Sequence, residues 1–130
     1  MQMITSVKTA LAVLVGVGIG AVSMNALRAQ ANPLAYFIAE ITVRNEDGYT
    51  REFLPASTKA IEDAGGKYIV RGGQPIAVSG QPPAQLIAVV QFENIDKLSA
   101  FIESAAFKNS QDIGDRYADI RIYGVQGVSR

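Results

Sequence analysis

From Ala35 to Val43 the apolar residues Ala35, Phe37, Ala39, Ile41 and Val43 take alternate positions between Pro33 and the turn-forming run Asn45 to Gly48. That period of two predicts a half-buried strand. The period then becomes helical. Tyr49 and Phe53 are four apart, and Ala56, Ala60, Ile61 and Ala64 continue their stripe across Pro55. A helix in two parts is expected, with Pro55 either kinking it or sitting in the first turn of the second part. Gly65-Gly66 ends it. Lys67 to Arg71 reads as a short strand, Gly72-Gly73 as a bend or bulge, and Ile76 to Ser79 as an extended continuation. Gly80-Gln81-Pro82-Pro83 is a turn.

The second half repeats the plan. Gln85 to Phe92 is an apolar strand, and Asn94 is placed to cap a helix whose Ile95, Leu98, Phe101, Ile102 and Ala105 form one stripe. Phe107, Ile113 and Tyr117 predict a further short helical stretch, and Ile120 to Val125 a closing strand. The order β-α-β-β-α-β predicts an α+β fold of the ferredoxin-like kind, one antiparallel sheet with the helices on one face.

Strand alternation assigns the two sheet faces. Phe37, Ala39, Ile41 and Val43, with Tyr68, Val70, Ala88, Val90, Phe92, Ile120 and Ile122, are expected under the helices. The other face mixes Ile38, Ile69, Ile87 and Val89 with Tyr36, Glu40, Arg71, Arg121 and Tyr123. Water does not usually cover so many aliphatic side chains together, and a dry core does not tolerate those charges. A second subunit's sheet over this face resolves the conflict, giving a homodimeric α+β barrel with a partly polar cavity between sheet and helices or between sheets.

Met1 to Ala31 follows neither period. Lys8 is the only charge in the first 27 residues, the apolar run Ala10 to Val22 follows it, and Ala29-Gln30-Ala31 offers small residues at a cleavage site. These features read as a signal peptide over residues 1–31, with a single domain over 32–130 that is periplasmic or secreted. The alternative is an uncleaved membrane anchor over residues 9–27, since extending the run to Leu27 approaches the roughly 20 residues a span needs. Removing the signal leaves ten Lys and Arg against twelve acidic residues. That balance implies neither a nucleic-acid partner nor, after cleavage, a membrane partner. Cysteine is absent, so the domain relies on packing and subunit burial rather than disulfides.

Histidine is also absent. The commonest general base, the commonest metal ligands and the thiol nucleophile are therefore missing. No phosphate loop, nucleophile elbow or paired-carboxylate motif is present, and no cofactor or metal is implied. The candidate ligand-binding residues are Tyr36, Glu40, Tyr49, Arg71, Gly72 and Gly73. Arg71-Gly72-Gly73 can act as an anion-binding turn, or its glycines can serve a bulge alone. Tyr49 either reaches a cavity mouth or belongs to the core with Phe53. Glu40 facing Arg71 across neighbouring strands is read as a cavity acid-base pair or as an ordinary ion pair.

Ala35-Tyr36-Phe37-Ile38-Ala39, Asp47-Gly48-Tyr49 and Gly65-Gly66-Lys67-Tyr68-Ile69-Val70-Arg71-Gly72-Gly73 resemble domain-of-unknown-function family 1330. So do Ala88-Val89-Val90-Gln91-Phe92 and Phe101-Ile102-Glu103-Ser104 to Phe107, over Ala35 to about Val128. The resemblance implies a dimeric ferredoxin-like fold of the antibiotic-biosynthesis-monooxygenase and muconolactone-isomerase type, and no particular activity. The chain departs from the family pattern at Ser79-Gly80, where an acidic residue and glycine are usual. It departs again at Phe101 and Phe107, which replace tryptophan or tyrosine. The function expected is an exported dimeric module binding a small, partly apolar or anionic molecule. The alternatives are a cofactor-independent isomerase or monooxygenase-like enzyme, and a structural or interaction protein without ligand.

Overall fold

The computed structural model describes residues 32–129, of which Pro33–Val128 form one compact unit. The signal-peptide and anchor readings of residues 1–31 lie outside the described residues. Strand β1, Ala35–Val43, has the bounds the alternation predicts, and its odd positions 35, 37, 39 and 41 are buried. One continuous helical run follows. It opens with α1, Glu46–Gly48, passes through a π-helical segment, Tyr49–Phe53, and continues as α2, Leu54–Asp63. Asn45 caps its start, its side-chain oxygen accepting from Gly48 N–H at 3.0 Å. Pro55 lies in the first turn of α2, directly after the π-helical segment, where it supplies no N–H to the helical ladder. Gly65 and Gly66 N–H groups close the helix end on the Glu62 and Ile61 carbonyls.

Strand β2 is Lys67–Gly73 and β3 is Leu86–Phe92. Between them Ile76 and Val78 are 87% and 92% exposed and belong to no strand, so the extended continuation expected at Ile76 to Ser79 does not pair with the sheet. Helix α3, Ile95–Glu103, begins on Asn94, whose side chain accepts from Lys97 N–H at 2.9 Å. Ser104 then interrupts the helix in extended backbone and caps α4, Ala105–Asp115, accepting from Phe107 N–H at 3.2 Å. Strand β4 is Ala118–Gln126. The antiparallel sheet runs β2-β3-β1-β4, the ferredoxin-like order of two interleaved β-α-β units.

The core joins the odd positions of β1 and Val90 and Phe92 of β3 to Phe53, Ile61, Leu98 and Phe101 from the helices. Phe101 stacks on Phe92 with ring centroids 5.3 Å apart and meets the edges of Phe37 and Phe107 at 5.6 and 5.1 Å. Gly48 is set by close approach: a Cβ there would enter the ring of Tyr117, whose hydroxyl donates to Glu52. Gly48→Ala is expected to lower stability by about 1–3 kcal/mol through overpacking, measurable as a lower urea midpoint at constant slope.

The sheet register corrects one face assignment. Lys67 pairs with Gln91 and Tyr68 with Val90, but Val70 then pairs with Val89 and Gly73 with Ile87. Two bulges therefore fall within seven residues, and each shifts the alternation by one. Val70, expected under the helices, joins Val89 on the open face and is 38% exposed. Arg71, expected on the open face, turns instead towards the helices. Gly72 makes the second bulge possible at φ +67°, a backbone region that strains any residue with a Cβ.

Candidate functional site

The core face of the sheet carries two small residues at its centre. Ala39 of β1 lies opposite Ala88 of β3, and Ile122 of β4 flanks it on the other side. Their methyl groups do not reach the helices that larger neighbours hold away from the sheet. The result is a cavity of about 300 Å³ between sheet and helices. Phe37, Phe101 and Phe107 wall one part of it, and Tyr49 stacked on Phe53 at 5.3 Å walls another. The π-helical turn carries both Tyr49 and Phe53 into this wall.

Polar groups are few and mostly engaged. Ser110 is 3% exposed and its hydroxyl donates to the Phe107 carbonyl at 2.7 Å. Burial, followed by the Tyr68 and Glu46 charges, pushes the Tyr49 hydroxyl above its ordinary value. It stays protonated, a hydrogen-bond donor at every physiological pH. Arg71 stands where β2 meets α2. Its Nη2 donates to Thr58 Oγ1 of α2 at 2.9 Å, and the guanidinium lies 4.6 Å from the Tyr68 ring centroid. Arg71 and Leu54 line both the cavity and a shallow open groove along α2.

The six candidate residues thus separate into two groups. Tyr49, Arg71 and Gly72 line the cavity. Tyr36 and Glu40 lie on the opposite face of the sheet, and Gly73 pairs with Ile87 outside the cavity lining. The expected Glu40–Arg71 pair does not form: β3 lies between β1 and β2, so the two residues are not on neighbouring strands, and the bulge before Val70 also turns Arg71 to the other face. Glu40 instead meets Arg121 of β4, Oε2 to Nε at 3.4 Å. Hydrogen bonding to Glu40, then desolvation, raises the Tyr123 hydroxyl above its ordinary value. Tyr36 is flanked by Gln91 and Val125.

Sequence reasoning missed Thr58, Tyr68 and the Ala39–Ala88 pair. The alanines had a legible signal, two small residues inside an otherwise bulky core-facing set. Thr58 had none. Among the described residues no group of three or more His, Cys, Asp or Glu is arranged to hold a metal ion, and no helix is long and apolar enough to cross a membrane.

Among solved structures, a protein of unknown function from Rhodopseudomonas palustris is similar at 12% identity, covering 76% of this chain and 85% of that one, with a TM-score of 0.58. SnoaB, a cofactor-independent oxygenase from Streptomyces nogalater, is similar at 9% identity over 75% of this chain and 96% of its own, with a TM-score of 0.50. A possible oxidoreductase from Bacteroides thetaiotaomicron is similar at 14% identity over 75% and 100%, also at 0.50. At such identities the likeness is one of fold alone. No curated protein matches the sequence. The model of the family described as Domain of unknown function (DUF1330) matches residues 34–128, nearly all of the ferredoxin-like domain, and the chain belongs to that family.

Proposed function

We propose that the protein is an exported, dimeric binding module that holds one small, mainly apolar molecule per protomer between its sheet and its helices. The observation that carries this reading is the cavity itself. Packing lost around such a space lowers stability by an amount that grows with its volume. A domain of this size without disulfides gains more from closing such a space than from keeping it, unless the space is used. Its lining is suited to holding a molecule rather than transforming one. Among the described residues no carboxylate lines it, and Glu40, the one acid proposed as a base, stands on the other face.

The dimer reading rests on that other face. Ile38 lies between Val89 and Tyr123, and Val70 and Val125 extend the apolar surface to either side. Glu40 and Arg121 add one charge of each sign beside them, a pattern that complements itself under a two-fold axis. Export rests on Lys8, the apolar run and Ala29-Gln30-Ala31.

Native mass spectrometry of protein purified from its own source tests all three parts. The expected species is a dimer of chains starting near Asn32 with a small molecule retained. Ala88→Leu, which grows into the cavity, is expected to raise stability by about 1 kcal/mol and to lose the retained molecule. Recovery of the same molecule from Ala88→Leu would locate it elsewhere and overturn the cavity reading. A full-length chain in the integral membrane fraction would overturn export.

A further inference from the structure

Five arginines lie among the described residues, and Arg44, Arg51 and Arg121 each meet a carboxylate, those of Asp119, Asp47 and Glu40. Arg116 and Arg71 do not, and of these two only Arg71 lines the cavity. Its partners are a neutral hydroxyl, Thr58 Oγ1 at 2.9 Å, and the face of the Tyr68 ring. The positive charge is positioned but not paired with a carboxylate, at the solvent-exposed edge of an otherwise apolar cavity. The ring and the hydroxyl together fix the plane of the guanidinium while leaving N–H groups free for a second partner. A planar fork held in place is suited to two parallel hydrogen bonds with a carboxylate.

We infer that the cavity takes a small carboxylic acid, its apolar body inside against the aromatic walls and its carboxylate at the β2–α2 edge on Arg71. This rests on the cavity being a binding site and adds the chemical class and orientation of what binds. Size follows from volume. At roughly 30 Å³ per non-hydrogen atom, as for liquid water, 300 Å³ holds about ten such atoms, a medium-chain fatty acid or a simple aromatic acid. The acid end cannot sit deeper, because the lining beyond Arg71 supplies no other cation and burying an unpaired carboxylate is prohibitive. Thr58 is then a positioning residue: it engages Nη2 and holds the guanidinium over Tyr68, leaving the remaining N–H groups to the carboxylate.

Three probes of the same chain, octanoate, octan-1-ol and octylamine, test charge and cavity separately by titration calorimetry of the processed protein stripped of retained molecules. Octanoate is expected to bind about two- to fivefold tighter than octan-1-ol, as an ion pair at a solvent-exposed arginine implies, and octylamine to bind weakest. Arg71→Gln should bring octanoate down to the level of octan-1-ol and leave octan-1-ol unchanged, with a cooperative melt confirming the fold. Arg71→Lys should recover part of the preference, since charge returns without the fork. Equal binding of all three probes would overturn the carboxylate inference while leaving the cavity a binding site. Binding of none by folded protein would overturn the binding module and the inference with it.

Discussion

Phe101→Ala is expected to destabilise the domain by about 3–5 kcal/mol, as for other fully buried phenylalanines. Phe101 is 3% exposed and touches three other rings, Phe37, Phe92 and Phe107. Truncation removes those contacts together and adds its own void to a cavity already present. The surroundings have little freedom to collapse, because Phe37 and Phe92 are fixed by central strands and the helices already stand away from Ala39 and Ala88. For a domain of this length the loss corresponds to a melting temperature lower by at least about 12 °C. Denaturant unfolding followed by fluorescence of the tyrosines measures it. A change below about 1 kcal/mol would mean that the aromatic cluster does not hold the helices on the sheet.

Val89→Lys is expected to convert the proposed dimer to monomers while leaving each monomer folded. Val89 sits beside Ile38 and Val70 on the open face, so in a single domain the new ammonium reaches water. Against a second sheet it would be buried without a carboxylate, at a cost of several kcal/mol. A weakening of at least a hundredfold in the dimer constant follows from the affinity scale. Sedimentation velocity at micromolar concentration separates the two states, with Thr42→Lys, an exposed position near the end of β1, as a comparison expected to remain dimeric. An unchanged dimer for Val89→Lys would place the interface elsewhere on the molecule.

Most of the fold was legible because its signals are local. Strand β1 reads directly from five alternating apolar residues, and its ends from Pro33 and Asn45. The helix starts at Asn45 and Asn94 follow from side chains that satisfy free backbone N–H groups. Ser104 was less legible: it splits what periodicity presents as one stripe, because its hydroxyl caps a new helix within a single residue. The mixed open face was also legible, since alternation puts Ile38, Ile87 and Val89 on the same side as Glu40 and the register of β1 and β3 keeps them there.

The site was legible only in its ingredients. Tyr49, Arg71 and Gly72 are residues the sequence singles out, and Gly72-Gly73 announces a bulge. A period of two, however, carries no memory of a bulge, and one extra residue reverses every side chain after it. The fate of Arg71 therefore depended on where along β2 the ladder slips against β3, which hydrogen bonds between distant segments determine. The cavity depended likewise on Ala39 meeting Ala88, residues 49 positions apart that become neighbours only through the register of two central strands. Composition and periodicity by themselves determined the elements, their order and the family of folds, because each of those rests on short-range geometry. Which side of the sheet receives the Arg71 guanidinium, and whether a cavity lies behind it, only the tertiary structure decided, because both are properties of strand pairing rather than of any single strand.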